Sequence, residues 1–165
     1  EGELVPMAQE FGLGITPWSP LRGGVLSGKY TRANAAEAKP DRGDRVKSFL
    51  NERNLTIIDE LLRVAKELNA SPASVALAWV QSRPGVTSTI IGVRKADQLD
   101  QNLAALDVKL SAEQVAALNK VSEPTLNFPA PFFRMIPMFA QGGTTVNGTK
   151  SAVWPLVPQP GEKRY

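Results

Sequence analysis

The sequence predicts an α/β fold in which short parallel strands alternate with amphipathic helices. Two segments, residues 14–18 and 86–91, contain the β-branched and aromatic residues that suit strands, and helical patterns lie between them. Leu55, Ile58 and Leu62 repeat every three or four residues, which indicates a helix between residues 51 and 68. Because strands connected through helices run in the same direction, we expect the two strands to pair in parallel.

The composition narrows the chemistry that this chain can perform. Its 165 residues include no cysteine and no histidine, which excludes disulfides, thiolate metal sites and histidine-based catalytic triads within the chain. The net charge of +3 suits an anionic ligand, but no long run of lysine and arginine predicts nucleic-acid binding. No apolar stretch approaches the roughly 18 residues of a membrane span. We therefore expect a cytoplasmic protein that binds no metal, nucleic acid or membrane.

Capping residues and glycines bound the other predicted helices. A first helix covers residues 4–11 and stops at the glycines that follow it. Ser71 before Pro72 is typical of a helix start, because proline at the first helical position loses no hydrogen bond. Ser111 and Gln114 form a capping box for a helix through residue 118.

The same patterns predict which side chains are buried. Ile15 and Trp18 suit a buried pleat, and Trp79 lies on a helix that is apolar nearly all round. A helix over residues 95–106 presents one apolar side, formed by Ala96, Leu99, Leu103 and Leu106. The residues predicted to form an exposed helix face, rather than acid–base groups, are Asp59, Glu60 and Arg63.

Two segments have no apolar period. Residues 30–47 mix small, charged and glycine residues, so we expect a mobile surface loop. Residues 123–165 are rich in proline and glycine and predict an irregular tail. Aromatic and methionine side chains between Phe128 and Phe139 would either line a substrate pocket or strap the tail onto another surface.

A series of short motifs gives the chain a resemblance to a known family. The motifs are Trp18-Ser19-Pro20-Leu21, Gly23-Gly24, Gly28-Lys29-Tyr30, the helix at 71–80, Ile90-Ile91-Gly92-Val93-Arg94, Gln98 to Asn102, and residues 110–113. In this order and spacing they resemble the C-terminal part of an aldo-keto reductase over residues 1–122. The resemblance implies a partial (β/α)₈ TIM barrel that holds the last two strands. Because a complete barrel needs about 250 residues, it also implies that the chain is a fragment.

The resemblance implies that the cofactor is NADP and assigns binding residues to two loops. The first loop would hold the pyrophosphate through backbone N–H groups, and glycine there allows close approach. Arg94, at the start of a helix, would bind the 2′-phosphate. The residues implied to bind the cofactor are Trp18, Ser19, Pro20, Leu21, Arg22, Gly23, Lys29, Arg45, Gly92, Arg94, Gln98, Gln101 and Asn102. Arg42 competes with Arg45 for the loop position.

The structural alternatives to these assignments stay open at this stage. Residues 18–23 would also be a tight turn whose glycine and proline serve geometry alone, and Gly92 to Lys95 a solvated basic helix start. No residue is expected to be catalytic, because the catalytic Asp, Tyr, Lys and His implied by the resemblance would lie outside this chain.

The resemblance implies an NADP(H)-dependent oxidoreductase that transfers a hydride between nicotinamide and a small carbonyl or alcohol substrate. This chain would supply the cofactor-binding part and be inactive alone. The alternative is a catalytically inactive nucleotide-binding module, or a regulatory module similar to a channel β-subunit. The expected partner is either a second copy, joined through the open barrel edge, or the missing N-terminal part.

Overall fold

The computed structural model describes residues 1–37 and 44–155, without the side chains of Arg45 and Arg134. Two compact units divide the chain: Val5–Glu123, and Glu1–Leu4 with Pro124–Tyr165. In chain order the elements are α1 (Leu4–Glu10), a 3₁₀ helix (Arg22–Ser27), α2 (Asp44–Lys47), α3 (Glu52–Glu67), α4 (Pro72–Gln81), α5 (Ala96–Leu103), a second 3₁₀ helix (Ala104–Leu106), α6 (Ala112–Ser122), α7 (Ala130–Gln141), β1 (Thr145–Val146) and β2 (Thr149–Lys150).

The two predicted strands pair in parallel, as expected, but only through isolated bridges. Ile15 pairs with Val86 and Trp18 pairs with Ile90. The Thr87 N–H donates to the Ile15 carbonyl at 2.9 Å, and the Ile90 N–H donates to the Pro17 carbonyl at 3.0 Å. Because proline has no N–H, Pro17 interrupts the donor series and the ladder does not become a continuous strand.

The prediction that Trp18 lies in a buried pleat is wrong. Its side chain is 73% exposed, and that of its bridge partner Ile90 is 48% exposed. A side chain on a sheet is buried only when another layer covers its face. Among the described residues no such layer covers Trp18.

Helix α3 forms as predicted and carries the centre of the core. Asn51 caps it, with its side-chain oxygen accepting the Asn54 N–H at 3.1 Å. Of the apolar positions predicted from the period, Leu55 and Ile58 are buried and Leu62 is half-buried. Arg63 donates to Glu60, which holds the pKa of that carboxyl below its usual range. Asp59 and Arg63 are exposed, as predicted, whereas Glu60 is half-buried.

Helices α4 and α6 begin at the predicted caps and close the core against α3. The Ser71 hydroxyl accepts the Ser74 N–H, and Ser111 with Gln114 forms the reciprocal capping box. Residues Val75, Ala76 and Leu118 are buried in the space between these helices. Trp79 is half-buried, and its indole Nε1–H donates to Asn119 Oδ1 at 2.8 Å.

The interpretation of residues 30–47 as a mobile surface loop is wrong at both of its described ends. Tyr30 and Val46 are buried in one cluster with Val25 and Ile58, and residues 44–47 form α2. Tyr30 and Val46 are isolated apolar residues that belong to no helical or strand period, so the sequence pattern did not predict their burial. Residues 38–43 lie outside the described part of the chain.

The apolar side predicted for residues 95–106 faces solvent. Leu99, Leu103 and Leu106 are 39%, 49% and 75% exposed, whereas Asn102 and Ala105 are buried. Helix α5 packs on α4 through its polar side, where the Ser74 hydroxyl donates to the Gln101 carbonyl at 2.7 Å. A hydrogen bond to the backbone, rather than the apolar stripe, therefore sets the orientation of α5.

The second unit is more regular than the irregular tail expected from its prolines. Helix α7 accommodates Pro137, and the rings of Phe139 and Trp154 lie with centroids 4.0 Å apart. Strands β1 and β2 pair antiparallel around Asn147 and Gly148, which both have positive φ. Asn-Gly is the preferred sequence for such a two-residue hairpin turn. Within residues 1–37 and 44–155, no helix is both long and apolar enough to cross a membrane.

Gly28 is predicted to be essential for folding because its backbone is left-handed and lies close to a proline ring. A Cβ at Gly28, with φ +87°, would lie 2.8 Å from Pro72 Cγ, whereas a Cβ at Gly12, with φ +64°, would meet nothing within 4 Å. We expect Gly28→Ala to lower the free energy of unfolding by about 2–4 kcal/mol and Gly12→Ala by about 1–2 kcal/mol. Urea denaturation of both variants measures this difference, and equal losses would contradict it.

Candidate functional site

A cavity forms where the two bridged segments end. It has a volume of about 570 Å³ and lies wholly within the unit Val5–Glu123. We call residues 19–24, which follow the Trp18 bridge, turn A, and residues 92–95, which follow the Ile90 bridge, turn B. Because the bridges are parallel, both turns leave the same edge of the pair and face one space.

The structure brings most of the predicted site residues to this cavity. Those that line it are Trp18, Ser19, Pro20, Leu21, Gly23, Lys29, Gly92, Arg94, Gln98, Gln101 and Asn102. Arg22 does not line the cavity; its guanidinium carbon lies 4.0 Å from the centre of the Phe49 ring. Arg45 lies in α2, but the described part of the structure does not include its side chain, and Arg42 lies outside the described residues.

Turn A is built from left-handed backbone. Ser19, Arg22, Gly23 and Gly24 have φ values of 58°, 51°, 69° and 95°. The Arg22 N–H donates to the Ser19 carbonyl at 2.9 Å, and the Gly24 N–H donates to the Leu21 carbonyl at 2.9 Å. Left-handed φ costs free energy at residues other than glycine, so Ser19 and Arg22 are held there by their surroundings. Such turns direct backbone N–H groups toward an anion, and because those of Arg22 and Gly24 are already used within turn A, the candidate donors are the N–H groups of the other residues that are not proline.

Turn B leads directly into helix α5. The residue that caps α5 is Lys95, whose ammonium group has no acceptor atom and makes no capping hydrogen bond. The Arg94 N–H donates to Gln98 Oε1 at 3.0 Å. The helix start thus has no side-chain cap and two cationic side chains beside it, while Asp97 places one carboxylate in the first turn.

Lys29 is the second residue after the first 3₁₀ helix, and it lines the cavity. Its ammonium lies 4.9 Å from the centre of the Tyr30 ring, and Tyr30 is buried. A Cβ at Gly24 would lie 3.7 Å from Lys29 Nζ. The absence of a side chain at Gly24 thus keeps the space beside the ammonium open.

Asn102 is a mostly buried residue whose amide makes no hydrogen bond within the described part of the chain. It is 7% exposed and lines the cavity, and among the described residues its side chain has no hydrogen-bond partner. The other buried polar residue of the core, Ser74, is fully paired. Among the described residues, Asn102 is not one of those with an inaccessible, unpaired side-chain atom, so its amide keeps access to the cavity and is placed to bind a group that enters there.

The sequence alone did not indicate every residue around the cavity. Tyr30 and Gly24 belong to quoted motifs but were not assigned a binding role, and Lys95 adjoins Arg94. Two adjacent glycines and a basic pair were the signals that could have indicated Gly24 and Lys95. Val46 and Ala73 also line the cavity, and no local pattern in the sequence marks them.

The chemistry of the lining suits anion binding rather than acid–base catalysis. The named lining residues carry three cationic side chains, Lys29, Arg94 and Lys95, together with amides and hydroxyls, and include no aspartate or glutamate. Across the described residues, no group of three or more histidine, cysteine, aspartate or glutamate side chains could hold a metal ion.

Comparison with known proteins identifies the family. The model of the Aldo/keto reductase family matches residues 1–123, which is most of the chain. The chain belongs to the aldo/keto reductase family. The match ends at residue 123, which is also the last residue of the unit Val5–Glu123.

Individual aldo/keto reductase relatives carry different names. An uncharacterized oxidoreductase of Bacillus subtilis, YrpG, is 36% identical over 131 residues, covering 79% of this chain and 37% of that protein. A probable voltage-gated potassium channel subunit beta of Oryza sativa subsp. japonica is 39% identical over 115 residues, covering 66% of this chain and 34% of that protein. Probable aldo-keto reductase 1 of Glycine max is 36% identical over 116 residues, covering 70% of this chain and 34% of that protein. The chain thus spans about a third of the length of these family members.

The contrast between Ser74 and Asn102 gives a test within this aldo/keto reductase chain. We expect Ser74→Ala to lower the free energy of unfolding by about 1 kcal/mol, because the hydrogen bond to the Gln101 carbonyl is lost. We expect Asn102→Leu to change the stability of the ligand-free chain less, because its amide makes no hydrogen bond within the described residues and keeps access to the cavity. Chemical denaturation measures both, and a larger loss for Asn102→Leu would show that the amide is already satisfied.

Proposed function

We propose that this chain binds NADP(H) in the cavity between turns A and B. It would form the C-terminal, cofactor-binding part of a (β/α)₈ oxidoreductase that transfers a hydride between nicotinamide and a small carbonyl or alcohol substrate. The observation that carries the proposal is the meeting of turn A, turn B and Asn102 around one cavity. Family membership supports the choice of a nicotinamide cofactor.

The first step of the argument concerns the pyrophosphate. The left-handed backbone of turn A and the Lys29 ammonium lie on the same cavity. Backbone N–H groups bind phosphate oxygens without a side chain between them, and glycine allows the approach. Lys29 would add a mobile point charge, so turn A and Lys29 together would hold the two bridging phosphates.

The second step concerns the adenosine end. Arg94 stands before the α5 helix start, where an anion is favoured by both the guanidinium and the helix dipole. We assign the 2′-phosphate to Arg94, with Gln98 holding the Arg94 N–H in place. Gln101 and Asn102 lie further along α5, and the unpaired Asn102 amide would bind the adenine or its ribose.

The cofactor would supply the hydride, and this chain would supply its binding and orientation. The cavity lining offers donors and cations but no carboxylate. The group that protonates the substrate oxygen would therefore come from the remainder of the whole protein. We also propose that Arg45 contacts the cofactor. This proposal rests on the contact between α2, which contains Arg45, and the first 3₁₀ helix.

A second candidate function is supported by the names of two relatives. Proteins called probable voltage-gated potassium channel subunit beta, from Oryza sativa and Arabidopsis thaliana, are 39% and 36% identical to this chain. The whole protein would then bind the nucleotide as a regulatory module. Turnover of an aldehyde by the whole protein with NADPH separates the two functions, because a regulatory module would bind the nucleotide without oxidising it at a comparable rate.

Arg94→Ala tests the assignment of the 2′-phosphate. In the 165-residue chain we expect the Kd for adenosine 2′,5′-bisphosphate to rise about 10- to 100-fold, because a charge-assisted hydrogen-bonded contact is lost. The Kd for adenosine 5′-monophosphate should change less than about threefold. Isothermal titration calorimetry measures both ligands.

Lys120→Ala is the matched control, because it removes one positive charge from the exposed end of α6 and leaves the cavity intact. It should leave both Kd values unchanged. Equal losses for the two ligands in Arg94→Ala would remove Arg94 from the 2′-phosphate site. A wild-type chain that binds neither ligand would overturn the proposed function.

A further inference from the structure

The side chain of Arg22 lies outside the cavity that its neighbours line. Leu21 and Gly23, on either side, are part of the lining, whereas Arg22 is exposed and its guanidinium carbon stacks 4.0 Å from the centre of the Phe49 ring. Across the described residues, no carboxylate forms an ion pair with Arg22. The contact that its charge makes is therefore with the face of an aromatic ring, a favourable cation–π arrangement.

Phe49 connects this contact to another residue of the cavity lining. Its N–H donates to the Val46 carbonyl at 3.0 Å, and Val46 lines the cavity from α2. Phe49 also packs against the buried cluster that contains Val25 of the first 3₁₀ helix. The Arg22–Phe49 contact therefore ties turn A to the segment that carries Val46.

Turn A needs such a constraint because its backbone is strained. Arg22 has a φ of 51°, and Ser19, whose carbonyl accepts the Arg22 N–H, has a φ of 58°. Both conformations cost free energy for residues with a Cβ. The left-handed backbone of Arg22 directs its side chain onto Phe49. The contact therefore stabilises that backbone conformation of turn A.

We propose that Arg22 is a positioning residue that holds turn A in its anion-binding conformation by stacking on Phe49. Its charge does not touch the ligand. The inference rests on the proposed function, because it concerns the same phosphate turn. Arg22 would thus act through the contact of its side chain with Phe49. The family resemblance had instead implied a direct contact between Arg22 and the cofactor.

A double-mutant cycle tests the proposal with Arg22→Met, Phe49→Leu and both together. We expect each single variant to weaken NADPH binding by the 165-residue chain about two- to fivefold, with no further loss in the double variant. Phe49→Tyr, which keeps the aromatic face, should bind like the wild type. Phe49→Leu keeps an apolar side chain, so a role in packing alone would leave its binding close to wild type.

Salt dependence separates positioning from direct contact. If Arg22 touched a phosphate, Arg22→Met would lose more affinity at low salt than at high salt, because the missing charge is screened at high salt. If Arg22 only positions turn A, the fold-loss of affinity in Arg22→Met should be the same at low salt and at high salt. Independent losses that multiply in the double variant, or a salt-dependent loss confined to Arg22→Met, would overturn the proposal.

Hydrogen exchange of the ligand-free chain keeps this proposal separate from the proposed function. Both single variants should raise amide exchange in residues 19–29 and 44–50, and the double variant should raise it no further. If the wild type binds no NADPH, the proposed function fails, and this exchange pattern alone decides whether Arg22 and Phe49 hold the turn. Unchanged exchange in the single variants would overturn the inference.

Discussion

The parallel pairing of two short segments is the constraint on which the rest of the site depends. Two bridges, between Ile15 and Val86 and between Trp18 and Ile90, set the direction in which both segments end. Because they end at the same edge, turn A and turn B leave toward a common space although residues 25–91 lie between them in the chain. The backbone can approach this closely because the neighbouring Gly14 has no side chain; a Cβ there would lie 2.5 Å from Thr87 Oγ1. Helix α4 packs against both the first 3₁₀ helix, which overlaps turn A, and α5, which follows turn B, and the Ser74–Gln101 hydrogen bond lies in the second contact.

Three features around the cavity are not fully stabilised by contacts within the chain. Turn A keeps two residues other than glycine in left-handed backbone, α5 begins at a lysine with no capping acceptor, and Asn102 is buried without a partner among the described residues. An anionic ligand with hydrogen-bonding groups would offset the partial charge of the α5 start and pair with the Asn102 amide, whereas the left-handed backbone of turn A is a cost that contacts within the chain maintain. The strained turn, the uncapped helix and the unpaired amide all surround the same cavity. That coincidence gives the nucleotide proposal its physical basis.

How much of this was predictable from the sequence depends on whether a feature is local. Caps and periods are local, so the caps Ser71 and Ser111 and most of the buried side of α3 were predicted correctly. The motif order placed most of the cavity lining, and family membership is confirmed. Features that depend on distant contacts were missed. Trp18 is exposed because no described layer covers it, α5 turns its leucines outward because its polar side bonds to α4, and α7 forms in a segment whose prolines predicted irregularity. Arg22 follows the same rule, because its contact with Phe49 joins residues that are distant in the sequence.

The central claim is that turn A and turn B form a single binding site for one nucleotide. Amide chemical shifts of the isotope-labelled 165-residue chain, recorded during titration with NADPH, test it most directly. The account predicts that residues 19–24 and residues 92–98 shift together, saturate at one common Kd, and stay unshifted during titration with an uncharged nucleoside at the same concentration. Shifts confined to one of the two turns, or two different saturation curves, would contradict it.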